Sequence, residues 1–156
     1  NIRIPDNKLP EDLTNRISAL FSVSDIVLVN EHESRLITNI DDPEKSATYL
    51  MDKFKNLSIV VVKLGAEGAL LLARGERTLE PSIFIPPFAV EVVDTSGAGD
   101  SFGAAFTVAL LEGHSLVEAG RLASASGALA TTKKGAWLGI PNREDRDRLV
   151  AKAGEG

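Results

Sequence analysis

The stretch Asp94-Thr95-Ser96-Gly97-Ala98-Gly99-Asp100 has the residue types of a turn that handles phosphate. Gly97 and Gly99 open backbone conformations closed to other residues and let a ligand approach the main chain. Phe102, Ala105, Phe106, Ala109 and Leu110 follow at the spacing of a helical stripe. The unbonded N–H groups of that helix's first turn, and the positive end of its dipole, therefore point into the turn. Together they make an anion site, suited to a phosphate or to charge developing on one. Asp100 adds a carboxylate. Alone it reads as a helix-capping acid, but an apolar lead-in, two glycines and a small-residue turn all converge on it.

Two other phosphate motifs fail. No G-x-x-x-x-G-K-[ST] occurs, so a P-loop is absent. Gly97, Gly99 and Gly103 come near a dinucleotide fingerprint, but the third glycine is one residue late. Asp100 would also put negative charge where a pyrophosphate settles. A hydride-transferring Rossmann enzyme, which would bind nicotinamide and not ADP, is the weaker reading.

Composition narrows the chemistry further. A net charge of −5 argues against a nucleic-acid groove, and the absence of cysteine excludes disulfides, thiolate catalysis and zinc–thiolate sites. Two histidines, His32 and His114, are too few for a His-built metal site. With 44% hydrophobic and 25% charged residues in 156, the chain has the balance of one globular domain. No apolar run reaches the roughly 18 residues of a membrane span, and no secretory leader is visible, so the expectation is a soluble, cytoplasmic protein.

The elements that must hold the turn are legible from periodicity. Leu13, Ile17, Leu20 and Phe21 predict a first helix. Ile26–Val29 and Ile59–Val62 are uninterrupted apolar runs, as in strands buried on both faces. Asp42-Pro43 starts a helix carrying Ala47, Leu50, Met51 and Phe54. Gly68 precedes Ala69–Leu72, the second arm of a β-turn-β element, followed by a turn at Arg74–Arg77 and a short strand at Ile83–Ile85. Val90–Val93 reads as a strand running into the glycine turn. A helix from about Ser115 has small inward residues, Ala119, Gly120, Ala123 and Gly127, which let its backbone lie close to a neighbour. Thr131–Ala136 is a loop, and Asn142 with Asp145 resembles a capping box for a last helix. The fold class expected is α/β, a mostly parallel sheet with helices on both faces.

The residues from Asp94 to Phe102 resemble the second signature of the ribokinase-like (PfkB) carbohydrate kinases. Asn30-Glu31-His32-Glu33 is similar to that family's N-x-x-E motif, and Lys63–Gly68 to its nucleotide-site strand and turn. Thr131–Ala136 resembles the late loop around adenine and a monovalent cation, and Asn1-Ile2-Arg3 the end of a D-x-N-x-R element. The resemblance covers nearly all of residues 1–156, but only the C-terminal, ATP-binding portion of such a kinase, without the N-terminal sugar-binding half and its lid. It implies that Asp100 is the base that takes the proton of a sugar hydroxyl attacking the γ-phosphate of ATP. Gly97, Ala98 and Gly99 would offer amides to the transferring group. Asn30 and Glu33 would help hold Mg²⁺, as oxygen ligands suit a hard cation, although their spacing alone reads as an N-cap and a first-turn acid. Lys63, Gly65, Gly68, Ser124 and Gly135 would surround the nucleotide; Ser124 stands where the family often has Asn. Asp94 and Ser96 would help bind K⁺, and Asp94 equally suits an Asx turn. The acceptor implied is 2-keto-3-deoxygluconate or fructose. Partners implied are ATP, a sugar or sugar acid, and either further copies of the chain or a complementary N-terminal half. A fragment that binds nucleotide without catalysis, or a regulatory module, is the competing expectation.

Overall fold

The computed structural model describes residues 9–75 and 79–154. Part of the Arg74–Arg77 turn and the Asn1–Arg3 element lie outside the described residues. The order of elements is α1 (Glu11–Phe21), β1 (Ile26–Asn30), α2 (Glu31–Thr38), α3 (Pro43–Lys53), β2 (Ile59–Lys63), a single 3₁₀ turn (Gly65–Glu67), β3 (Ala69–Ala73), β4 (Ile83–Ile85), α4 (Ala98–Leu111), α5 (Leu116–Ala130) and α6 (Arg143–Lys152). The strands hydrogen-bond in the order β1-β2-β3-β4. β1 and β2 are parallel, with Ile26 opposite Ile59 and Asn30 opposite Lys63. β2 and β3 are neighbours joined by only residues 64–68, too short for a crossover, so they run antiparallel. The sheet is therefore mixed rather than mostly parallel: the glycine turn after Lys63 folds the chain straight back. Val90–Val93 forms no strand. It pairs with no neighbouring strand, and Val92 and Val93 are exposed.

The chain divides into two compact units, residues 1–64 with 70–83, and residues 65–69 with 84–156. In the first unit, Val27 and Val29 of β1 and Val60 and Val62 of β2 share a core with Leu50 and Met51 of α3. The Ile59–Val62 run is buried at Val60, Val61 and Val62, as a central strand should be, whereas the Ile26–Val29 run is not buried on both faces: Val27 and Val29 are buried while Ile26 is exposed and Leu28 half-buried. α2 and α3 are joined by buried hydroxyls: Ser34 and Ser46 hydrogen-bond to each other, and Thr38 Oγ1 lies 3.1 Å from Ser46 Oγ. α2 starts at Asn30, whose Oδ1 accepts the Glu33 N–H (2.8 Å) while Glu33 Oε2 accepts the Asn30 N–H (2.9 Å). This reciprocal box satisfies two end amides at once. Asp42 caps α3 at Lys45 N, with Pro43 at its first position.

In the second unit α5 lies along α4. Ser115 and Glu118 form a capping box for α5, and Asn142 caps α6 through the Asp145 N–H without the reciprocal bond. Phe102 and Phe106 of α4 are buried and stacked, 6.2 Å between ring centroids. No helix among the described residues is long and apolar enough to cross a membrane.

Candidate functional site

The turn before α4 is pinned from the main chain outward. The N–H groups of Val93 and Asp94 both donate to the Thr131 carbonyl, at 2.8 and 3.0 Å. Asp94 Oδ1 accepts the Ser96 N–H (2.9 Å) and Oδ2 accepts the Gly135 N–H (2.8 Å). The Ser96 amide above all, then that of Gly135, holds the Asp94 carboxyl below its ordinary value. Gly97 follows with φ +80°, and a Cβ there would lie 2.8 Å from Ala136 Cβ. Both its backbone conformation and its neighbour demand glycine.

α4 then begins with no side-chain cap. The N–H groups of Gly99 and Asp100 find no protein acceptor among the described residues, whereas α2, α3, α5 and α6 each start with a capping side chain. Free first-turn amides plus the helix dipole favour an anion at this point. Asp100 is exposed beside them and forms no ion pair among the described residues.

Asp100 lines a groove of about 510 Å³ together with Ala104, Val108, Trp137, Ile140 and Arg146. Arg146 is buried and pairs with Asp147 at 2.6 Å. Arg143 forks onto both oxygens of Glu112, at 2.5 and 3.2 Å, and this pairing holds the Glu112 carboxyl down. The guanidinium groups near the groove are thus already engaged by carboxylates.

Of the other candidates, Gly65, Gly68, Ser124 and Gly135 fall in the second unit with Asp94, Ser96 and Gly97–Asp100. Gly65 takes φ +61° with open space where a side chain would stand. Gly68 takes φ +104°, and a Cβ there would collide with the Ile85 carbonyl. Ser124 is buried in α5, and its hydroxyl donates to the Pro86 carbonyl at 3.3 Å. The first unit brings Asn30, Glu33 and Lys63 together at the C-terminal ends of the parallel pair β1 and β2, where open α/β sheets hold ligands. Among the described residues, no three His, Cys, Asp or Glu side chains gather as a metal cluster.

Sequence reasoning passed over three supports of the turn, the Thr131 carbonyl, Ala136 and Ser101, while Gly127, a fourth, reads as a small inward residue. Ser101 Oγ donates to the Ser126 carbonyl at 3.2 Å, and a Cβ on Gly127 would stand 3.3 Å from the Ala98 carbonyl. A main-chain acceptor leaves no mark on residue type. Gly127 left one, as a small residue in an inward stripe.

Comparison with known proteins gives a consistent result. Residues 2–143 match the pfkB family of carbohydrate kinases. Ribokinase of Haemophilus influenzae is 37% identical over 129 residues, 81% of this chain and 40% of that protein. Fructokinase-1 of Zea mays is 33% identical over 150 residues, 92% of this chain and 45% of that protein. Among solved structures, a putative ribokinase II from E. coli in complex with ATP and Mg²⁺ superimposes with TM-score 0.80 at 26% identity, over 90% of this chain and 44% of that one. Arabidopsis thaliana ribokinase complexed with ribose and ATP does so with TM-score 0.75 at 33% identity, over 92% and 44%. The chain spans less than half the length of each of these relatives.

Proposed function

The chain belongs to the pfkB family of carbohydrate kinases, and from that premise we propose that it forms the ATP-side, C-terminal portion of an enzyme that phosphorylates a free sugar. One observation carries the reading: α4 begins uncapped, with the amides of Gly99 and Asp100 unspent and the Asp100 carboxylate exposed beside them. A helix start left open is suited to an anion that comes and goes; α1 also begins without a side-chain cap, but behind Pro10, whereas α4 opens from a glycine turn.

In the proposed step a sugar hydroxyl oxygen bonds to the γ-phosphorus of ATP as the bond from that phosphorus to the bridging oxygen breaks, releasing ADP. Asp100 takes the hydroxyl proton, and the α4 amides at Gly97–Asp100 receive the transferring group. Phosphoryl transfer asks mainly for positioning and charge stabilisation, and these groups supply both. Gly65, Gly68, Ser124 and Gly135 border the nucleotide, with Lys63 at the end of β2. Asn30 and Glu33 fit a hard cation: one Glu33 oxygen is spent on the Asn30 N–H, and the other has no partner among the described residues. Bound Mg²⁺ would neutralise phosphate charge. The Asp94 carboxylate keeps lone pairs beyond its two N–H bonds, which suits a monovalent cation such as K⁺.

Ribose and fructose are the first acceptors to test, because the names of the relatives and the ribose in the Arabidopsis structure point to them. 2-Keto-3-deoxygluconate, suggested by the sequence resemblance, is the third. The acceptor side is supplied by a complementary N-terminal half. A second reading, nucleotide binding without turnover by this chain alone, is favoured by its spanning 40% of the Haemophilus ribokinase and 45% of the Zea mays fructokinase.

The deciding experiment is Asp100→Asn in the full-length protein. Turnover is expected to fall by about 10²–10⁴-fold while ADP·Mg²⁺ affinity, read by calorimetry, stays within a few fold. Near-normal turnover would remove Asp100 from the role of base.

A further inference from the structure

A helix whose first turn has no side-chain cap is not held in place by its own sequence, so its position must come from what packs on it. Contacts from α5, at Gly127 and Ser126, do this for α4 together with packing inside α4 itself. A Cβ on Gly127 would stand 3.3 Å from the Ala98 carbonyl and 3.4 Å from Phe102 Cβ, so the α5 backbone already bears on the first turn. Ser101 Oγ reaches the Ser126 carbonyl, one residue away. Phe102, on the same turn, is buried and stacked on Phe106. On the other side, Gly97 is pressed against Ala136.

Gly127 differs from Gly97 in one respect. It lies inside a helix, without the positive φ that calls for glycine, and there alanine is the better helix former. Only lack of space calls for glycine at 127. We propose that Gly127 is a positioning residue for Asp100: its missing side chain lets α5 set where the Gly99 and Asp100 amides and the Asp100 carboxylate stand. The inference rests on the reading of Asp100 given above.

An alanine at 127 must push the Ala98 carbonyl by a few tenths of an ångström, and Ala98 stands two residues before Asp100 in the first turn of α4. The displacement reaches the amides beside Asp100. In the full-length protein, Gly127→Ala is expected to stay folded and to shift the ¹H–¹⁵N resonances of Gly99 and Asp100. It should lower turnover about tenfold, since small misplacements at a reacting centre are costly, with nucleotide KM little changed. Ser101→Ala, which removes one hydrogen bond and adds no bulk, should shift the same two amides less and lower turnover less.

A folded Gly127→Ala protein with both amides unmoved overturns the proposal, as does full turnover in that variant where Asp100→Asn has lost it. If Gly127→Ala does not fold, Ser101→Ala decides: unmoved amides with full turnover overturn the proposal, and shifted amides with reduced turnover support it. If Asp100→Asn itself retains turnover, the role of Asp100 as base fails separately. The amide shifts then still decide whether Gly127 places the turn.

Discussion

Asp94 Oδ2 accepts the N–H of Gly135 across 41 residues of chain at 2.8 Å, tying the turn before α4 to the loop after α5. Its other oxygen holds the Ser96 N–H, so one carboxylate organises both segments. These bonds favour the ionised form and keep the Asp94 carboxyl below its ordinary 3.8. A group depressed in the folded state contributes stability above its unfolded value, and that stability disappears as pH falls through the folded value. Asp94→Asn cannot titrate. Urea denaturation of the two proteins from about pH 5 downward is expected to show wild type losing stability toward acid more steeply than Asp94→Asn. Parallel curves would mean that Asp94 is not held in its charged form by this clamp.

Gly65 and Gly68 both take positive φ, but for different reasons. Gly65 has open space around the missing Cβ, while at Gly68 the Ile85 carbonyl occupies that space and Pro87 N would lie 3.1 Å away. Gly65→Ala carries only the left-handed backbone cost, about 1–2 kcal/mol. Gly68→Ala adds a collision with rigid main chain and should lose about 3 kcal/mol or more. Chemical denaturation of the two variants side by side tests the distinction, and equal losses would refute it.

The sequence carried the fold wherever periodicity and end signals agreed. Ile26–Val29 and Ile59–Val62 form the paired strands, the second buried and the first only at Val27 and Val29, and Asn30, Asp42, Ser115 and Asn142 each cap the helix that follows. It misread Val90–Val93, where apolar composition suggested a strand but the segment pairs with no strand among the described residues. The parallel sheet was overextended as well. Ala69–Leu72 already reads as the second arm of a β-turn-β element, and the five residues between it and Lys63, too few for a crossover, make the sheet mixed there. At the site, Asp100 and its glycines stood out because their residue types are unusual together. The supports of the turn were hidden, because the Thr131 carbonyl and the backbone of α5 act through atoms that every residue has.

α4 is apolar nearly all round, a pattern that belongs to a helix enclosed on all sides. One stripe, Phe102, Phe106 and Ala109, is buried. A second, Ala104, Val108 and Leu111, follows at helical spacing and is exposed, with Leu111 82% accessible. Trp137, Leu138 and Ile140 in the same unit are exposed too, at 83%, 69% and 57%. Apolar surface of this kind marks a face made for contact. Produced alone, the 156-residue chain is expected to self-associate through this face, since nothing else in the sample can cover it. Sedimentation velocity across a concentration series should show species larger than the monomer, and Val108→Lys with Leu111→Lys should return the protein to monomer without lowering its melting temperature, because both side chains are already solvated. Wild type that stays monomeric at high concentration would show that the face needs no cover, and association undiminished in the double variant would place the contact elsewhere.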